Sequence, residues 1–311
     1  MATDTTPRTR SGLPVLPAAG FVLVWSSGYI AGPYGVEGMQ PLSLVGWRFV
    51  LAAAIVAVLA RVLRGPLRVD RGEAARIAVT GFVMNGLQFA AMYLAFAAGL
   101  GATLGALLHS LSPVLTAVLA GLLLRERLSR LQVLGFVVGV AGVLIVLGPD
   151  VDEAGGAAGI GFAVVAVLAL SFGTLGQRWI GHGPDPLWSA AIQFGVSGPP
   201  VLALALILEG THPVSDPERT AIALAYLALV NSIAGLVLLG ILVRRRGAGA
   251  ASSVFFLMPP VTALMAWLVL GETLNPREAV GLVVAVAGVA AATRTGVGAP
   301  QEPPVQQAGR A

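Results

Sequence analysis

The chain has 311 residues, 56% apolar and 11% charged, with a mean hydropathy of +0.85; ordinary soluble domains carry about 25% charged residues, so a water-soluble enzyme is excluded for want of polar surface. Cys is absent, which excludes disulfide frameworks and thiolate metal sites, and His109, His182 and His212 show no metal-ligand spacing, so no metal or other cofactor is expected. All nineteen basic residues are Arg and the net charge is +4; they stand in short clusters between apolar runs, which is no nucleic-acid footprint.

Residues 1–13 are polar and Thr/Arg-rich and read as a disordered cytoplasmic N-terminus, and 294–311 (Gly, Pro, Gln) as a disordered tail. Between them lie ten apolar stretches, at about 14–34, 41–63, 76–97, 101–124, 130–148, 157–178, 186–208, 219–243, 248–270 and 277–293. Each has the length, about 17–25 residues, that crosses a hydrocarbon core as a helix. They are apolar all round rather than along one stripe, and no short alternating strands suggest a barrel. The first resembles a signal peptide, but the internal repeat described below needs it as a helix.

Along the chain, the first stretch is interrupted by the polar-aromatic run Trp25-Ser26-Ser27-Gly28-Tyr29, either an interfacial anchor or part of a pathway wall. In the second, Arg48 lies ~10 Å from the outer end at ~1.5 Å per residue; it either snorkels outward or binds a carboxylate or phosphate. The third holds Asn85 and, one turn on, Gln88, amides that either glue helices together or face a cavity. In the fourth, His109, Ser112, Pro113 and Thr116 share one helix face, and Pro113 frees the carbonyl of His109. Intramembrane ionisable groups usually face the bundle interior, so His109 is expected to contact substrate, to couple protons, or to be a hydrogen-bonded structural residue. The fifth starts at a Ser129–Gln132 pair with capping-box spacing and carries Gly135, Gly139 and Gly142, which suit close helix contact. Asn231 lies in the eighth stretch. Phe255, Pro259 and Thr262 share a face of the ninth, where Pro259 and Pro260 predict a second bend near mid-helix. Glu126 and Glu272 stand just before the turns that open the fifth and tenth stretches, the latter with an Asn275–Glu278 box and Pro276 at the first helical position. They are read as turn-defining carboxylates, with gating or proton sensing as the alternative.

With the N-terminus cytoplasmic, sixteen of the nineteen Arg fall inside and only Arg219 and Arg277 outside, so both termini are predicted to be cytoplasmic. A shift of 146 positions overlays residues 101–146 on 247–292 without a gap, with 18 of 46 pairs identical, among them Pro113/Pro259, Thr116/Thr262, Glu126/Glu272, Gly135/Gly281 and Gly142/Gly288. Upstream, Asn85 meets Asn231 at the same shift, and Pro41-Leu42 meets Pro186-Leu187 at 145; at that shift Arg48 faces Gln193, so the halves differ chemically. Five helices per half is odd, so the second half must enter the membrane from the opposite side. Inverted repeats characterise secondary transporters.

The block PVLTAVLAGLLLRERLSRLQVLGFVVGVAGVLIV (113–146) and its partner PPVTALMAWLVLGETLNPREAVGLVVAVAGVAAA (259–292) resemble the two EamA repeats of the drug/metabolite transporter superfamily. WSSGYIAG and PLSLVGWRF are similar to that family's opening pattern, and the resemblance spans about residues 15–293. It implies an exporter of amino acids or other small metabolites whose first helix lines the pathway.

These readings predict an all-α integral membrane protein of ten transmembrane helices in two inverted five-helix EamA repeats, 14–148 and 157–293. The expected activity is secondary transport of a small-molecule substrate, as efflux, with uptake facilitation as the alternative. The expected contacts are Asn85, His109 and Asn231, with Trp25 and Phe255 as apolar walls, Arg48 as an anion contact, and Pro113, Pro259 and Pro260 as gating bends. The lipid bilayer is the expected partner; protons as coupling ion, and a homodimer against a monomer, stay open. An intramembrane enzyme would need a nucleophile–base or metal constellation at one depth, which a single intramembrane His and no intramembrane carboxylate do not offer. No P-loop Lys supports ATP coupling.

Overall fold

A computed structural model describes residues 15–125, 128–149, 151–180, 185–238, 241–242 and 253–294. The predicted N-terminal segment 1–13, all of the predicted tail 294–311 except Arg294, which ends a helix, and Glu126, Arg127, His182 and Arg244–Arg246 lie outside the described residues. The described residues form helices α1 (Val15–Val36), α2 (Pro41–Arg64), α3 (Arg71–Ala97), α4 (Ala102–Leu124), α5 (Arg130–Leu147), α6 (Gly156–Ile180), α7 (Pro186–Leu208), α8 (Pro217–Leu238), α9 (Phe255–Leu270) and α10 (Pro276–Arg294). Eight of these, α2–α8 and α10, are long and apolar enough to cross a membrane; α9 is a shorter apolar helix.

Local chemistry sets the ends. Four helices begin with Pro at the first turn (α2, α7, α8, α10), where the missing N–H costs nothing. Asp70, Asp185 and Asp216 accept N–H bonds at the starts of α3, α7 and α8. Both predicted boxes are formed: Ser129 and Gln132 cap each other's backbone at α5, and Asn275 and Glu278 do so at α10.

The interiors depart from the predicted pattern in three places. α1 runs unbroken through Trp25–Tyr29, because its polar residues find partners: Ser26 Oγ donates to Met258 O (3.3 Å) and Ser27 Oγ to Val24 O (2.7 Å). α4 is interrupted at Leu111, so Pro113 occupies the first turn of a new segment, Ser112–Leu124. In α9 a 3₁₀ turn, Ser253–Leu257, precedes the α-helical Met258–Leu270. Pro259 and Pro260 therefore begin a helix rather than bend one at its middle; the first turn is where a proline ring clashes with nothing behind it.

The halves meet through equivalent helices. Gly135 of α5 lies where an added Cβ would approach Gly288 O and Ala292 Cβ of α10 at 2.6 Å, and Gly142 lies against Ala285 and Gly281. Rising numbers on α5 meet falling numbers on α10, so the pair is antiparallel. α2 and α7 cross in the same sense, Gly46 at Leu202 and Gly198 at Val50. Helices related by the repeat thus run in opposite directions, and small residues let their backbones approach closely.

Candidate functional site

A cavity of about 640 Å³ lies between the halves, walled by α1–α4 from the first and α6–α8 from the second. Its lining extends to Ile180 and Pro186, where α6 gives way to α7. The opposite end of the bundle is tied shut. Glu209, following α7, accepts from Leu42 N, Ser43 N and Ser43 Oγ at 2.7–2.9 Å and caps α2. Glu272, following α9, accepts from Ala102 N (2.7 Å), Thr103 N and Thr103 Oγ1 and caps α4. Both are carboxylates on helix N-termini, the favourable sign for the helix dipole, and both tie the second half to the first. Arg219 adds an ion pair with Glu37 and stacks over Tyr34, 4.8 Å from the ring centroid.

Arg48 is the centre of the cavity's polar wall. It does not snorkel: it is 2% exposed. Its Nε donates to Ser232 Oγ (3.1 Å), Nη1 to Tyr93 Oη (3.0 Å) and Nη2 to Asn231 Oδ1 (2.6 Å). Phe89 lies 4.4 Å from the guanidinium carbon, ring centroid to Cζ. One Arg thereby joins α2, α3 and α8, and with α8 it crosses between halves. Asn231 is held in turn by Val24 O of α1, to which Nδ2 donates at 2.8 Å. This bond requires Gly28, because an added Cβ there would lie 2.6 Å from Asn231 Nδ2.

Asn85 and Asn231 both sit in π-helical segments, Phe82–Leu87 of α3 and Tyr226–Ala234 of α8. These are repeat-related distortions, of a kind frequent at functional sites. Asn85 Nδ2 donates back to Gly81 O (3.2 Å), and Gln88, one turn on, is buried with Oε1 lacking a partner. His109 lines the cavity with its ring edge-on to Tyr29, centroids 5.6 Å apart.

Five predicted residues, Trp25, Arg48, Asn85, His109 and Asn231, therefore come together in one cavity wall. Phe255 is not among its lining residues; it packs edge-on against Phe21 and Trp25 behind the wall. Pro113, Pro259 and Pro260 also stand outside the lining. Of the face expected to accompany His109, Ser112 turns to Ser171 of α6 (3.2 Å between hydroxyls) and Thr116 is buried. Tyr93, Phe89, Ser232, Gln177 and Gln193 are among the other residues of the wall. Tyr93 and Phe89 carried a signal: with Asn85, Gln88, Met92 and Phe96 they follow helical spacing along one face of α3. Gln193, the repeat mate of Arg48, donates to Ser189 Oγ and accepts from Gln177 Nε2 at 3.1 Å.

The chain matches the EamA-like transporter family twice, over residues 13–148 and 157–294. It is 27% identical to a probable amino-acid metabolite efflux pump of Salmonella typhimurium, over 86% of this chain and 90% of that protein. It is also 27% identical to a probable terminal-alkyne amino-acid exporter of Streptantibioticus cattleyicolor, over 90% and 93%, and 28% identical to an uncharacterized inner membrane transporter of Escherichia coli, over 92% of each. A solved crystal structure superposes with a TM-score of 0.63 at 21% identity, covering 90% of this chain and 96% of the other, a likeness of fold.

Proposed function

Since the chain belongs to the EamA-like transporter family, we propose that it is a secondary transporter exporting a small metabolite, an amino acid or a related compound, across the cytoplasmic membrane by alternating access. The carrying observation is the 640 Å³ cavity between antiparallel halves, a size suited to one small ligand. Its unequal ends support the reading: lined out to the α6–α7 turn at one end, tied by Glu209 and Glu272 at the other. The names of the relatives support export and an amino-acid-like cargo.

On this reading the ten helices all cross the membrane, five in each of the stretches 14–148 and 157–293, with both termini cytoplasmic by the Arg bias. The α6–α7 turn is then cytoplasmic, so the cavity opens inward and the Glu209 and Glu272 caps lie at the outer end. Arg48, Asn85, His109 and Asn231 contact the cargo alongside Trp25. The helix starts at Pro113 and at Pro259-Pro260 are the points where α4 and α9 flex, and Phe255 supports Trp25 from behind. Inverted symmetry gives the return stroke: exchanging the conformations of the two halves closes the inner mouth and opens the outer.

Purified protein in liposomes, tested for counterflow against a metabolite panel, checks this. Saturable exchange with at least one compound is expected, together with extracellular accumulation of that compound only in cells that carry the gene. Absence of saturable exchange across the panel removes the carrier reading.

A further inference from the structure

Among the described residues the cavity carries one fixed charge and no carboxylate to balance it. Among the described lining residues Arg48 is the one Arg, and none is Asp or Glu. The side chains bonded to the guanidinium are all neutral, Ser232, Tyr93 and Asn231. They take three of its five N–H groups and leave one on each terminal nitrogen, since Nη1 and Nη2 make one bond apiece. A buried cation without its counter-ion is costly, and more so at membrane depth. A ligand that brings the missing negative charge gains in binding what the empty site lacks, and a carboxylate suits a guanidinium's paired donors.

The rest of the wall narrows the class. Trp25, Phe89, Met92 and Phe194 present apolar surface. Gln88 is among the lining residues and its Oε1 is buried without a donor, which leaves it free to accept one hydrogen bond from a hydroxyl or amide N–H. An ammonium in the same cavity would find neutral acceptors only, would lose its hydration, and would be repelled by Arg48. Resting on the transporter reading above, we infer that the cargo is a small organic monoanion: a carboxylate for Arg48, an apolar body, and one uncharged donor for Gln88, as in a 2-hydroxy acid. Zwitterions of the same shape rank second, and cations are excluded.

Four compounds on one skeleton test this by calorimetric titration of the full chain in lipid nanodiscs. They are 3-phenyllactate, phenylalanine, the uncharged 3-phenyllactamide and the cationic phenylalaninamide. The anion is expected to bind at least ~tenfold tighter than the zwitterion or the neutral amide, with no saturable signal from the cation. Arg48→Gln, which installs the residue found at the repeat-related position 193, is expected to erase the preference for phenyllactate over its amide, while Arg48→Lys keeps part of it. The wild-type ranking stands as a test without any substitution. Equal or tighter binding of phenylalanine or phenylalaninamide overturns the assignment, and so does failure of phenyllactate to bind. Either result leaves the carrier reading intact, because that reading fails only if counterflow is absent for every class of compound.

Discussion

At the scale of single residues, the cavity wall depends on a relay from Gly28 through Asn231 to Arg48. Asn231→Ala removes the partner of Arg48 Nη2 while Val24 O keeps Ser27 Oγ, and leaving a buried charged donor unpaired costs about 1–3 kcal/mol. Thermal unfolding is expected to report that loss, and counterflow to fall by more than the stability loss explains. Gly28→Ala should reproduce the transport defect by displacing Asn231. Gly195→Ala is the control: its Cβ would meet Ala53 Cβ at an ordinary 3.9 Å, so unchanged counterflow and slightly raised stability, by about 0.5–1 kcal/mol, are expected. Equal defects in both variants would refute the relay. Arg48 shows where reading the sequence stops. Its depth was legible and its direction was not, because Tyr93, Asn231 and Ser232, all remote in sequence, decide whether it turns inward. Gln193 was visible as its repeat mate, but not as a neighbour in the same wall.

Between elements, glycine seams and carboxylate caps do different work. The α5–α10 seam lets backbones touch, so a methyl at Gly142 would fall against the backbone nitrogen of Ala285, whereas one at Gly161 of α6 meets nothing within 4 Å. Gly142→Ala is therefore expected to lower the melting temperature of the purified protein, and Gly161→Ala to leave it unchanged or raise it. Similar behaviour of the two would contradict the seam. Glu272→Gln keeps the shape of the α4 cap but removes its charge, a loss of about 1–2 kcal/mol at a helix N-terminus. A double-mutant cycle with Thr103→Ala should show coupling, since Thr103 Oγ1 donates to the same carboxylate. The helix starts and both capping boxes were legible, because caps and prolines act within four residues. The π-helical segments were not: only the coincidence of Asn85 with Asn231 marked them, and a π-turn has no local composition of its own. The mid-helix placing of Pro259-Pro260 also came from reading length alone; the two rings exclude a continuous α-helix behind them, and the chain takes a 3₁₀ turn there instead.

For the whole molecule, the opposed directions of the two halves set the architecture. The repeat was legible because coincident Pro, Glu and Gly at a fixed offset survive apolar degeneracy. The antiparallel crossing of α5 with α10 and of α2 with α7 is what that repeat becomes in three dimensions. In a membrane, the same relation places repeat-related turns on opposite faces. Because the chain has no Cys, single cysteines placed at Arg130, the exposed first residue of α5, and at Leu274, exposed just before α10, can report it. A membrane-impermeant maleimide applied to intact cells should label Leu274→Cys, and should label Arg130→Cys only after the membrane is opened. Labelling of both from the same side would contradict the inverted architecture and the alternating-access mechanism built on it.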